Sequence, residues 1–270
     1  MEKMLNVSIV LYKADFSQIS DLVQELKANK LIHQIYLIDN SPLRNDQFTS
    51  LTPNYVFTGK NIGFGAAHNI AIQKTICEGT KYHLVINPDI YIQNSILVDL
   101  INYLEANSSV GQISPMIFNQ DGTIQFLPKL LPAPMDLLIR VVPFLKKIYR
   151  IRSRRYVLAD YQNKAINVPI ISGCFSIFNV EILKNIGFYD DKFFMYFEDF
   201  DLSRRIHEKY KTVYYPFVSV VHLHERGAAK SIRLFVIFIR SAFHYFNKHG
   251  WIFDNHRNQF NKEVLKQLNL

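Results

Sequence analysis

Short apolar runs that stop abruptly at polar turns, each followed by a stretch with helical spacing, recur along the first half of this 270-residue chain. Val7 to Tyr12 is the first run, and Ile19, Leu22, Val23 and Leu26 follow it at helical intervals. Ile35 to Ile38 ends at Asp39-Asn40-Ser41-Pro42, Tyr55 to Thr58 forms a third run, and Tyr82 to Ile86 ends at Asn87-Pro88-Asp89. Apolar spacing is helical again from Gly65 to Glu78 and from Ile96 to Ala106, where Asn94-Ser95 can cap the start. Gly111 to Phe118 reads as a strand with a hairpin turn at Asn119-Gln120-Asp121-Gly122. Strands alternating with helices predict an α/β fold with a mostly parallel central sheet flanked by helices.

In the second half, Ile170 to Asn179 is strand-like around Gly173, and Asn179 can cap a short helix that Gly187 ends. A helix is predicted from Glu198 to about Tyr210, then a strand from Thr212 to Tyr215 broken at Pro216, and a further strand from Val218 to Val221. Nearly half of the residues are hydrophobic, enough for a substantial core. The expected organisation is one domain over 1–230 with a basic insertion at 127–164, and a C-terminal helical appendage over 231–270. Ser231 to His249 reads as an apolar helix carrying Phe235, Phe238, Phe243 and Phe246. Packing on the core, pairing with a second copy in a homo-oligomer and resting on lipid are all open to it.

The formal net charge of +8 favours an anionic partner. Leu127 to Asp160 holds Lys129, Arg140, Lys146, Lys147, Arg150, Arg152, Arg154 and Arg155 against Asp136 and Asp160, and so carries +6 of that charge. Its basic residues alternate with aliphatics, a pattern suited to an anionic membrane surface or to a solvated loop over an apolar patch. Stacking aromatics are not interleaved there, which argues against nucleic acid. Cys77 and Cys174 lie in apolar runs and are expected to be buried thiols in a reducing compartment. The N-terminus lacks the features of a signal peptide, and Leu234 to Ile239 falls far short of the roughly 20 residues that span a bilayer. A cytoplasmic protein with peripheral membrane contact is the expectation.

In open parallel sheets ligands bind at the carboxyl ends of strands, where Tyr12, Asp39 and Asp89 all fall. Asn87-Pro88-Asp89 offers oxygen donors suited to Mg2+ or Mn2+ on a diphosphate, although the same tripeptide also makes an ordinary turn. His222 and His224 end a strand and point to one face, with His222 favoured as a metal ligand. Gly63-Phe64-Gly65 is a glycine pair, but His68 stands where a dinucleotide fingerprint has its third glycine. A turn into a helix with Asn69 as a core polar group is the competing reading. Phe197-Glu198-Asp199-Phe200-Asp201 sets three carboxylates among aromatics at a helix start, where the helix dipole favours ionised groups. Glu198 and Asp199 are the candidates for chemistry, against capping, whereas Asp201 is spaced for an ion pair with Arg205.

Val7-Ser8-Ile9-Val10-Leu11-Tyr12, Ile38-Asp39-Asn40-Ser41, Asn61-Ile62-Gly63-Phe64-Gly65, Asn87-Pro88-Asp89, Gly187-Phe188-Tyr189-Asp190 and Phe194 to Asp201 occur in that order. The set resembles the family 2 glycosyltransferases of GT-A fold, most of all the bacterial rhamnosyltransferase-like branch, over roughly Val7 to His224. The resemblance implies an inverting transfer of a sugar, L-rhamnose from dTDP-rhamnose being the first expectation, from a nucleotide-diphosphate donor. The acceptor would be lipid-linked or a polysaccharide of the cell surface. It implies Asp39 at the base or ribose, and Tyr12, Asn61, Gly63, Asn69 and Asn87 lining the donor site. It implies Asp89 and His222 on the metal, Asp199 as base, and Glu198 orienting Asp199 or the acceptor. Asn87 stands where many relatives have aspartate, and Lys13 where they often have asparagine. The Asn87 departure keeps a non-catalytic nucleotide-sugar or membrane-surface binding module as the alternative.

Overall fold

A computed structural model describes residues 3–126, 129–141, 164–223 and 232–269. The basic cluster from Lys146 to Arg155 and the second histidine, His224, lie outside the described residues, as does the boundary expected at 230/231.

The first half alternates as its apolar runs require: β1 (Leu5–Leu11), α1 (Phe16–Lys27), β2 (Ile32–Asp39), β3 (Tyr55–Phe57), α2 (Phe64–Cys77), β4 (Tyr82–Ile86), β5 (Ile90–Tyr91) and α3 (Asn94–Ala106). Then come β6 (Val110–Asn119), β7 (Ile124–Phe126), α4 (Pro134–Val141), β8 (Ile166–Asn167), β9 (Phe175–Asn179) and α5 (Val180–Ile186). The described chain closes with α6 (Glu198–His207), β10 (Lys211–His222), α7 (Ile232–His249) and α8 (Asn255–Gln267). Asp15 caps α1 through Gln18 N, and Asn179 caps α5 through the amides of Glu181 and Ile182. In α1 the buried residues are Ile19, Leu22, Val23 and Leu26, the stripe that its spacing predicts.

The strands form one sheet in the order β3-β2-β1-β4-β9-β6-β10-β5. β3, β2, β1 and β4 run parallel, as do β6 and β10, while β9 enters antiparallel between β4 and β6. Burial explains the character of the parallel half, since all of β4 and nearly all of β1 are covered on both faces. One large cluster built on Val7, Ile9, Leu84, Ile113 and Phe175 forms the core on one side of the sheet. On the other, α2 lies against β1 and β2 and packs Ala67 and Ala71 on Tyr36 and Ile38.

Two local expectations are corrected. Pro216 does not end a strand: β10 continues to His222, and its pairing with β6 slips between Tyr215 and Ser219. An amide-less residue is accommodated at such an irregularity because no ladder hydrogen bond is asked of it. Cys77 is exposed rather than buried, because it falls on the outer face of the last turn of α2; Cys174 is buried as expected.

The C-terminal helices pack on the body. Ala242, Tyr245 and Phe246 of α7 meet Phe193 and Phe197, while Phe260 and Val264 of α8 join core clusters. Arg204 of α6 forks onto Asp254, the cap of α8, with nitrogen–oxygen distances of 2.6 and 2.8 Å. Among the described residues no helix is long and apolar enough to cross a membrane.

Candidate active site

Three groups of residues meet at the carboxyl ends of the parallel strands. The first is a web of turns after β1, β2 and β3. Lys13 N donates to Ser41 Oγ at 2.8 Å, and Asn40 donates from its amide to Leu11 O at 2.8 Å and from Nδ2 to Gly63 O at 3.0 Å. Asn61 is exposed, and its Oδ1 accepts from Gly63 N at 3.0 Å. The Tyr12 ring is half exposed at the end of β1. Asp39 is fully buried, accepting from Ser41 N at 2.9 Å and from the Tyr55 hydroxyl at 2.7 Å. Burial, together with the Asp39 carboxylate, pushes the Tyr55 phenol up to about 12, so this hydroxyl is a fixed donor. In this arrangement Asp39 shapes the turn that borders the crevice.

Gly63 is the junction to the second group. Its φ is +97°, and a Cβ there would stand 2.5 Å from the carbonyl oxygen of Phe194, which accepts from Phe64 N at 3.0 Å. Only glycine fits a left-handed position at such close approach. This contact lays the Phe193–Phe197 segment against the turn web. Tyr196 and Phe197 both adopt positive φ, 71° and 67°, immediately before α6. Non-glycine residues are costly there, and aromatic packing holds them: Phe197 lies 5.1 Å from Phe200 and 5.4 Å from Tyr245 between ring centroids.

That bend sets Glu198 and Asp199 in the first turn of α6. Asp199 Oδ2 accepts from Gly173 N at 3.1 Å and Oδ1 from Phe200 N at 2.9 Å. Burial raises its pKa above the ordinary range, and these amides with Lys129 act in the opposite direction. Glu198 is more deeply buried and its Oε2 has no hydrogen-bond partner among the described residues. Burial, then the charge of Asp199, pushes the Glu198 carboxyl well up. The pair therefore splits into a positioned carboxylate and a carboxyl that favours its protonated form. Asp201 belongs to the fold, as its spacing predicts. Burial acts against its charge, but His249, Arg205 at 2.8 Å and Lys248 outweigh burial and hold it well below the carboxylate range.

The third group lies across the Gly173–Cys174 peptide. Asn87 N donates to Cys174 O at 2.8 Å, one residue from the amide that holds Asp199. His222 Nε2 is 2.9 Å from Asp89 Oδ1 and 3.4 Å from Asn87 Nδ2. Gln125 Oε1 lies 2.5 Å from His222 Nδ1, and Gln125 is itself held by Asn119 Oδ1 at 2.9 Å. Burial disfavours the imidazolium of His222, but the hydrogen bonds to Asp89 and Cys174 outweigh burial and push it up to about 9. Asp89 and His222 thus present oxygen and nitrogen donors to one point. Gln125 fixes the tautomer that leaves Nε2 available, which fits a divalent cation displacing the proton. No group of three or more His, Cys, Asp or Glu side chains is clustered for a metal among the described residues.

The structure sets Tyr12, Asn61, Gly63, Asn87, Asp89, Glu198, Asp199 and His222 around the carboxyl ends of the parallel strands and buries Asp39 there. Asn69 is a correction. Its Nδ2 donates to Tyr189 O at 2.9 Å and Asp191 Oδ1 at 2.8 Å, while its Oδ1 accepts from Tyr189 N at 3.1 Å. Both donors are used in clamping α2 to the segment after Gly187, leaving Asn69 no donor for a nucleotide. Gln125, Gly173 and Cys174 are the residues that sequence reasoning did not select. Only the hairpin at 119–122 hinted that a side chain from β7 returns to the His222 strand.

No family model matches the chain. The low-salt glycan biosynthesis hexosyltransferase Agl10 of Haloferax volcanii is 24% identical over 205 residues, covering 74% of this chain and 61% of that protein. The chain thus spans about three-fifths of the length of that relative. Among solved structures, GalNAc-T7 with UDP, GalNAc and Mn2+ superposes with a TM-score of 0.59 at 15% identity, over 83% of this chain and 44% of that one. The mannosyltransferase PcManGT of Pyrobaculum calidifontis with GDP-Man and Mn2+ gives 0.56 at 16% identity, over 90% and 64%. TarS of S. aureus gives 0.60 at 12% identity, over 97% and 43%. With its central sheet flanked by helices, the chain has the GT-A glycosyltransferase fold.

Proposed function

We propose that the chain is an inverting glycosyltransferase that moves a sugar from a nucleotide-diphosphate donor to an acceptor hydroxyl. The observation that carries this reading is the Gly173–Cys174 peptide, with Asp199 fixed by Gly173 N on one side and the Asn87–Asp89–His222 group tied to Cys174 O on the other. A displacement with inversion needs a base on the acceptor side and charge stabilisation on the leaving-group side, and Asp199 and the Asp89–His222 pair would supply them from separate positions.

Tyr12 offers an exposed ring for the nucleoside base, and the exposed Asn61 turn offers polar contacts to the nucleotide. Asp89 and His222 would hold Mn2+ or Mg2+, which would supply charge neutralisation for a departing diphosphate. Asn87 adds a carboxamide, leaving the site one negative charge poorer than a second carboxylate would. Asp199 takes the acceptor proton as the hydroxyl oxygen attacks the anomeric carbon. Its two backbone donors aim the carboxylate, while its partial burial keeps it basic enough to accept. Glu198, favoured in its protonated form beside it, lowers the charge repulsion that a second carboxylate would bring.

The relative's name supports a hexosyl donor, and the motif resemblance supports dTDP-rhamnose as the first sugar to try. A lipid-linked or polysaccharide acceptor at the cytoplasmic face of a membrane suits the basic composition. The second reading, a nucleotide-sugar binding module without transfer, is favoured by Asn87. A panel of nucleotide sugars distinguishes them: one donor should raise the melting temperature and release nucleoside diphosphate with Mn2+ or Mg2+, but not with a chelator. Stabilisation without turnover supports the binding module, and no response to any donor rejects both readings.

A further inference from the structure

We infer that a cavity between α7 and the Lys192–Phe194 segment binds the phosphate of an anionic lipid, its hydrocarbon lying along the outer face of α7. The cavity has a volume of about 740 Å³, and Lys192, Arg233, Arg240, His244, Phe194 and Val236 are among the residues that line it. Lys192, Arg233 and Arg240 are exposed and make no ion pair with another described residue. His244 lies 3.4 Å from Asp190, a carboxylate that Lys248 also holds at 2.8 Å. Three cations facing one cavity without a carboxylate of their own favour an anionic ligand, and guanidinium groups suit phosphate oxygens in particular.

The apolar part of the site points to lipid rather than to a free anion. Ile232, Phe235, Val236 and Phe243 recur at helical intervals on α7, and they are 85%, 44%, 48% and 54% exposed. Phe243 meets Trp251 edge to face with centroids 4.9 Å apart, and Ile252 and Phe253 follow in the chain, 77% and 92% exposed. A helix with an exposed apolar stripe flanked by arginines is the pattern of a surface-lying membrane helix. Water exposure of so many large side chains is unfavourable, and insertion into the headgroup and acyl boundary relieves it.

The cavity also adjoins the segment that precedes Glu198 and Asp199. Phe194 in its wall accepts from Phe64 N, and Ser241 Oγ donates to Met195 O at 2.8 Å, so both rims sit on the segment leading to Glu198 and Asp199. A phosphate held here places a lipid-linked acceptor on the Asp199 side of the site. That last step rests on the glycosyltransferase reading, whereas the lipid-phosphate site does not.

The test is co-flotation of the full chain with phosphatidylcholine vesicles, with and without a polyisoprenyl monophosphate. The wild type should bind only the vesicles that carry the anionic polyisoprenyl monophosphate. Substituting Arg233→Gln and Arg240→Gln together should weaken binding about thirty-fold, taking about 1 kcal/mol for each arginine near the surface. Val236→Asp, at an exposed position, should weaken it by repulsion with both arginines intact. All variants should keep the wild-type melting temperature and the same stabilisation by a nucleotide donor. Equal binding to neutral vesicles, or wild-type binding by both variants, overturns the assignment. Release by inorganic phosphate at the concentration of the lipid phosphate makes the ligand a free anion and overturns the lipid part. Lipid binding without any response to a donor leaves the site standing and removes the glycosyltransferase reading instead.

Discussion

Arg204→Met is expected to loosen the C-terminal helices from α6, and its cost follows from the burial of the pair it breaks. Arg204 and Asp254 are each 3% exposed and joined by two hydrogen bonds of 2.6 and 2.8 Å, with the Tyr245 hydroxyl at 3.3 Å from the same guanidinium. Removing the cation leaves Asp254 charged in a poorly solvated place, a loss of about 3–5 kcal/mol. For a chain of this length the unfolding entropy gives a fall of about 2 °C per kcal/mol, so the melting temperature should drop by about 6–10 °C. The pH dependence carries the same signature. Burial opposes the charge on Asp254, but Arg204 and the Arg257 amide outweigh it and hold the pKa below its ordinary value. A depressed carboxylate contributes stability that is present above its unfolded pKa near 4 and lost as pH falls through the folded value, so the deficit of the variant should shrink on acidification. Differential scanning calorimetry of Arg204→Met, Asp254→Leu and the double variant at neutral and acidic pH measures both. A strictly additive double variant, or a drop below about 1 kcal/mol for Arg204→Met, refutes the reasoning.

Other substitutions separate fold from site. Gln125→Leu removes the acceptor that orients His222 and should weaken Mn2+ or Mg2+ binding by about 10–100-fold with little change in melting temperature, read by titrating metal against donor release. Asn69→Ala deletes the clamp on Tyr189 and should cost about 2 kcal/mol in stability while leaving the KM for donor near the wild-type value. The reverse outcome would return Asn69 to the nucleotide site. Gly63→Ala forces a methyl group against Phe194 O at a positive φ and should cost about 1–3 kcal/mol, with a loss of donor binding, seen by thermal shift with and without donor.

The first half of the fold is legible in the sequence because its strands are short apolar runs closed by turns and separated by stretches of helical spacing, the alternation that a parallel sheet requires. β9 is different: its place between β4 and β6 depends on pairings with residues about 65 to 97 positions earlier, and no local pattern encodes them. Pro216 misled for the opposite reason, since a strong local signal was absorbed by a shift of register. Cys77 sits in an apolar run, yet the last turn of α2 carries it outward. Of the residues proposed for the site, Asp89, His222 and Asp199 stand out in the sequence because carboxylates and imidazoles at strand and helix ends are chemically conspicuous. Gln125 and Gly173 do not, because an amide on an edge hairpin and a backbone N–H gain their roles only from the neighbours that folding brings.

Asp199 is the residue on which the proposed reaction turns. Asp199→Asn keeps the size of the side chain and removes its basicity, and general base catalysis contributes about 10²–10⁴-fold. With a responsive donor and acceptor, the sugar-transfer rate of Asp199→Asn should fall by that factor while donor-induced stabilisation stays at the wild-type level. A folded Asp199→Asn protein that transfers sugar at a rate within a few-fold of the wild type would contradict the assignment of the base.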